Sequence, residues 1–287
     1  MMRVRGRKFP QTAIYGVPAA GGGGGGYVGP GDIQTFTLWS GLRAYSAAKA
    51  AATVALVDLV DQAGANPITI NCTTAGALDA SAIATWVAAH SVTTIKVSKL
   101  YDQVGSNHLA QVTLANMPTL VANALNSSYG MSFNGTSTQL ISTSSLSSQA
   151  QPYLFSMLLK AASAADYGLV SIDVGDFGGF VSEWKSLGNI RSYAGANIDV
   201  AISTNAWHAV QMLANSTSSV LGIDGSETTG DDGTQNTENA NLIFGQEGGG
   251  ANFFNGSLME LGFAAGAVSS GNRASLNSNM HAAYGGW

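Results

Sequence analysis

The feature that most constrains this chain is the stretch beyond Pro118, where short segments alternating apolar and polar side chains follow one another between turn residues. Period-two alternation marks a strand with one face buried, and many such segments in series pair most simply as antiparallel neighbours. They occupy 129–133, 139–142, 153–159, 167–173, 179–184, 190–193, 207–214, 219–223, 241–245 and 256–263. Asn134-Gly135 and Asp224-Gly225 are dipeptides that favour positive φ at both centres of a tight hairpin turn. The expected architecture is all-β, a sandwich or jelly roll.

The first hundred residues read differently. The spacing of Leu42, Tyr45 and Lys49 predicts a helix over 38–51, followed by a strand at 53–60 and its hairpin partner at 67–71. Asp79 stands where a helix N-cap belongs, with Ile83, Trp86 and Val87 on one face of a short helix that runs to His90. Residues 94–100 alternate as a half-buried strand, and a last helix is expected from Ser269 or Ser270 to about Ala283.

Residues 1–33 read as an extended arm: Arg3, Arg5, Arg7 and Lys8, then glycines from Gly21 to Gly26 and Gly29-Pro30-Gly31. The β-sandwich domain is then expected over 34–287. Only 10% of the 287 residues are charged, which suits a subunit whose faces neighbours cover, so contacts with copies of itself or other subunits through the arm are expected. Beyond Lys8 eight basic residues face 17 acids, arguing against nucleic-acid contact by the domain. Cys72 is the sole cysteine, so no intrachain disulfide or thiolate metal site can form. No run approaches a membrane span or a signal-peptide core, and the expected location is a particle assembled from cytoplasmic product.

Two stretches are more specific. The first is Leu100-Tyr101-Asp102-Gln103-Val104-Gly105-Ser106-Asn107-His108-Leu109-Ala110-Gln111, continued by Met117-Pro118 and Phe133-Asn134-Gly135. The second is Phe253-Phe254-Asn255-Gly256-Ser257-Leu258-Met259-Glu260, with Ala267-Val268-Ser269 and Arg273 to Tyr284. Together they resemble the catalytic domain of family-54 α-L-arabinofuranosidases and the laminin-G-like modules of phage proteins, over roughly Trp39 to Trp287. The resemblance implies a concanavalin A-like two-sheet sandwich with a few short helices.

It also implies where chemistry would sit. A retaining glycosidase needs a carboxylate nucleophile and a carboxyl acid/base about 5 Å apart. Asp166-Tyr167-Gly168 through Glu183 is similar to the segment that ends in the family's nucleophile, which puts Glu183 at that position. The family's adjacent cysteine pair is replaced by Ala164-Ala165, and the carboxylate two residues before the nucleophile by Val181. The acid/base falls near Gly245-Gln246-Glu247, where Gln246 cannot donate a proton and Glu247 requires a one-residue shift.

The remaining candidates read as structural. Asp102 and His108 suit a self-capping turn, and no third metal ligand accompanies them. His90, His208 and His281 read as packing residues. Asp231, Asp232 and Glu238 read as a solvated hairpin tip in preference to a Ca²⁺ loop. Trp184, Trp207, Tyr193 and Phe177 are candidate platforms for surface glycans. With the second carboxyl group in doubt, the expectation is a non-enzymatic phage virion protein, without cofactor or metal; an arabinofuranosidase-like hydrolase using Glu183 is the alternative.

Overall fold

A computed structural model describes residues 26–172, 179–247, 250 and 252–285. In chain order the first half contains β1 (Leu38–Gly41), α1 (Ala47–Ala51), β2 (Ala55–Val60), β3 (Ile68–Asn71), α2 (Ala80–His90), β4 (Lys96–Leu100), β5 (Leu109–Ala110), β6 (Thr119–Leu125), β7 (Ser128–Asn134), β8 (Leu140–Ser142) and β9 (Tyr153–Ala161). The second half contains β10 (Tyr167–Ile172), β11 (Phe180–Lys185), β12 (Asn189–Tyr193), β13 (Asn197–Ala201), β14 (His208–Ala214), β15 (Ser219–Ile223), β16 (Ser226–Gly230), β17 (Ile243–Phe244), β18 (Asn255–Ala265) and α3 (Ser270–Tyr284).

These strands form two antiparallel runs. One is β16-β15-β14-β9-β18, with β7 and β1 sharing the far edge of β18 and β6 lying beyond β7. The other is β13-β12-β11-β10-β17-β8-β5-β4-β2-β3. Among the described residues the named strands of the two runs meet where Lys96 pairs with Thr119 at one margin, and Ser40 of β1 bridges to Asp102 just beyond β4. The protein is an all-β sandwich, and rings from the two runs interlock in its core. Phe155 of β9 stacks on Phe180 of β11 at 4.5 Å between centroids, and Phe133 of β7 meets Phe244 of β17 at 5.1 Å. Such contacts add to the apolar burial that holds the layers together.

The outer face of the first run is covered in turn. Leu276, Met280 and Tyr284 of α3 pack over Leu154, Leu158 and Leu213, and Ser269 caps the helix by accepting the Asn272 N–H. Over β11 to β13 the second run instead carries charged and polar side chains on its outer face, among them Glu183, Lys185, Arg191 and Asn197.

Several expectations change. Residues 38–51 are not one helix: β1 pairs with β18 from Leu38↔Phe263 to Gly41↔Glu260, and only Ala47–Ala51 is helical, capped by Ser46. Leu38 and Trp39 are fully buried, so pairing and burial outweigh the helical spacing. β5, β6, β13 and β16 have no counterpart in the alternation pattern; in β16 Ser226 to Thr229 are all exposed, leaving no buried face to detect.

Of the two hairpin dipeptides, Asp224-Gly225 has φ values of 52° and 85° and closes β15 onto β16 as expected. At Asn134-Gly135 only the glycine is left-handed, and the Asn134 side chain accepts the N–H groups of Thr136, Ser137 and Thr138. The basic start of the arm lies outside the described residues. Its last part is not free: Pro30–Asp32 forms a 3₁₀ turn, Gly31 N–H donates to Tyr45 O, and the Tyr27 hydroxyl donates to Ala44 O. Among the described residues no helix is long and apolar enough to cross a membrane.

Candidate active site

β11 splits its side chains between two environments. Phe180, Ser182 and Trp184 point into the core and are fully buried, whereas Val181, Glu183 and Lys185 line a surface pocket of about 340 Å³ with Arg191, Tyr193 and Asn197. Register places Gly168, Glu183, Arg191 and Asp199 opposite one another across β10, β11, β12 and β13. Directly opposed residues share a face and lie roughly 5 Å apart, so these four form one row beneath the pocket.

Charge is organised along that row. Glu183 Oε1 lies 3.1 Å from Lys185 Nζ, and Oε2 lies 3.7 Å from an Arg191 nitrogen. Arg191 grips Asp199 with two bonds of 2.7 and 2.8 Å, which raises the Arg191 pKa and lowers that of Asp199. Asp166 sits 3.7 Å from Lys185, and its carboxyl is held low chiefly by the Ser186 N–H. Glu183 itself is only 9% exposed, so it meets solvent through the pocket and little else.

Gly168 leaves room for a crossing segment of backbone. A Cβ on it would fall 2.1 Å from Glu247 N and 2.5 Å from Gln246 C, on the face to which Glu183 points. The backbone of Gln246-Glu247 therefore passes over Gly168, beside Glu183. Three main-chain bonds hold it there: Gly245 N to Leu169 O, Gly168 N to Asn252 O and Phe254 N to Gly245 O. Glu247 is buried and accepts a bond from the Asn252 side-chain amide.

The other candidates fall elsewhere. Trp184 is wholly within the core and offers no ring to a sugar. Trp207 is buried on the far side of the first run, where its indole N–H donates to Ala124 O and the Lys160 ammonium lies 5.4 Å above its ring. Tyr193 does line the pocket, and Phe177 lies outside the described residues. Asp102 accepts the N–H groups of Trp39, Val104, Gly105 and Asn107, and His108 Nδ1 accepts that of Asp102, so this pair builds a turn. Asp232 is not at a solvated tip: it is fully buried and accepts from Ser192 and Ser219 hydroxyls. Among the described residues no group of three or more His, Cys, Asp or Glu is arranged to hold a metal ion.

Gly168, Arg191 and Asp199 were not singled out from sequence. They become a site only through the register of four strands, one of them β13, whose alternation is too weak to read; the eight-residue spacing of Arg191 and Asp199 around a polar turn is the available signal.

No family model matches the chain, and no curated protein matches it by sequence. Solved structures do. A GH54 α-L-arabinofuranosidase soaked with a cyclic sulfate inhibitor superimposes with a TM-score of 0.70 at 20% identity, over 90% of this chain and 66% of the other. A second, complexed with arabinofuranosyl-α-1,2-xylobiose, gives 0.69 at 20% identity, and a Glu-to-Gln variant soaked with 4-nitrophenyl α-L-arabinofuranoside gives the same values. The chain thus spans just under two thirds of the length of these enzymes and shares their sandwich fold. The expectation of a non-enzymatic virion structural protein is corrected here, because the fold neighbours over nine tenths of the chain are glycoside hydrolases.

Proposed function

We propose that this chain is a retaining glycoside hydrolase acting on α-L-arabinofuranosides, with Glu183 as nucleophile and Glu247 as acid/base. The observation that carries the reading is the passage of the Glu247 backbone across Gly168, the cross-strand partner of Glu183. The covalent route requires two carboxyl groups about one strand spacing apart on one side of a pocket. The likeness to arabinofuranosidases supplies the substrate class.

In the first step a Glu183 oxygen bonds to the anomeric carbon as the glycosidic C–O bond breaks, and Glu247 passes its proton to the departing oxygen. In the second, water gives a proton to Glu247 and its oxygen attacks the anomeric carbon, releasing arabinose and restoring both carboxyl groups. Lys185 and Arg191 set positive charge beside the nucleophile, and the Arg191–Asp199 fork fixes the guanidinium. Asn197 and Tyr193 border the pocket with groups able to hydrogen-bond sugar hydroxyls.

Release of 4-nitrophenolate from 4-nitrophenyl α-L-arabinofuranoside tests this. Activity that falls on the order of 10⁴-fold or more in Glu183→Gln is expected. In Glu247→Ala, added azide restores turnover and yields the arabinosyl azide, as for a missing acid/base. An inactive wild-type chain, or an active Glu183→Gln variant, ends the proposal.

A further inference from the structure

His208, which reads in the sequence as a packing residue, stands between a serine and an aspartate. Its Nε2 lies 3.0 Å from Ser203 Oγ and its Nδ1 2.7 Å from Asp224 Oδ2. The three come from separate elements: Ser203 from the loop that leaves β13, His208 from the start of β14, and Asp224 from the turn between β15 and β16. From this geometry we propose a second site, in which Ser203 is a nucleophile toward small activated carboxylic esters and His208 is its base. The inference does not rest on the glycosidase reading.

The hydrogen-bond inventory assigns the roles. An ionised carboxylate only accepts, so the Nδ1 facing Asp224 carries a proton and neutral His208 is left with a lone pair at Nε2 to take the Ser203 hydroxyl proton. Asp224 is itself anchored, since its Oδ1 accepts the Ala209 N–H at 2.9 Å. The Ser203 carbonyl oxygen lies 3.1 Å from Nε2 and becomes an acceptor for the new N–H once the imidazole is protonated. His208 is buried whereas Ser203 is exposed, so the base is held rigidly and the hydroxyl is open to a reagent.

The reaction balances without a co-reactant other than water. Ser203 Oγ adds to the ester carbonyl carbon while its proton moves to Nε2; collapse expels the alcohol oxygen, which takes that proton, and leaves an acylated serine. Water then attacks the acyl carbon, gives a proton to Nε2, and frees the acid and the serine hydroxyl.

The test uses the full chain with 4-nitrophenyl acetate and, separately, phenylmethylsulfonyl fluoride. The expected result is ester hydrolysis above the buffer rate and a single sulfonyl adduct that peptide mass mapping assigns to Ser203, both lost in Ser203→Ala. Because Ser203 is exposed, that substitution removes the hydroxyl without opening the core. Asp224→Asn, a change at the positioning residue, should lower kcat on the order of 10²-fold while leaving KM unchanged, because it disturbs the ring and not the place where the ester sits. No adduct, an adduct at another residue, or hydrolysis undiminished in Ser203→Ala overturns the proposal.

Discussion

At the scale of single residues, the absence of a side chain at Gly168 matters as much as the presence of Glu183. In Gly168→Ala the new methyl collides with Glu247 N, so the Gln246-Glu247 backbone must lift away from the row beneath the pocket. Arabinofuranoside hydrolysis is expected to fall about 10²-fold, as for a catalytic group displaced by roughly an ångström. The fold should persist, which an unchanged far-ultraviolet spectrum would show. Asp232 makes a prediction of opposite character. Burial raises its pKa from 3.8 to about 6, although the Ser219 and Ser192 hydroxyls favour the charged form. The folded chain therefore holds this proton more tightly than the unfolded one, so the contribution to stability is complete below about pH 4 and is lost as pH rises through about 6. The loss amounts to about 3 kcal/mol. Asp232→Asn should remove that slope and raise the urea midpoint near pH 7; equal pH dependence in both proteins would contradict it.

Elements show why local signals succeed in some places and fail in others. α2 starts where its cap lies, with the Asp79 carboxylate accepting the N–H groups of Ser81 and Ala82; Asp79→Ala should cost about 1 kcal/mol in chemical unfolding. The β15–β16 turn is equally local, because Asp224-Gly225 supplies two left-handed residues wherever the flanking strands go. β1 is the opposite case. Its residues suit a helix, yet pairing with β18 brings Arg43, two residues after the strand ends, onto Glu260 with bonds of 2.6 and 2.8 Å. This pair is buried and is joined by the Tyr284 hydroxyl and the Asn279 side chain. It ties β1, β18 and α3 together, and Glu260→Gln, which leaves the guanidinium buried with neutral acceptors and no counter-charge, should cost about 3–5 kcal/mol by equilibrium denaturation.

Across the whole molecule, alternation along the chain was enough to identify a sandwich: each strand that buries one face must meet another sheet, and the meeting of Phe155 with Phe180 is that requirement fulfilled. The Asp224-Gly225 turn and the helix caps at Asp79 and Ser269 were also legible, because each depends on residues close in sequence. The crossing of Gln246-Glu247 over Gly168 was not, nor the meeting of Ser203 and His208 with Asp224. Members of both sets meet through strand register and loop crossings that no local pattern encodes, and the polar outer face of β11 to β13 became a pocket only when three strands aligned. Sequence by itself determined which faces are buried, since transfer of side chains out of water depends on their own chemistry. Tertiary structure alone decided which polar residues converge, since that depends on how distant segments are held against one another.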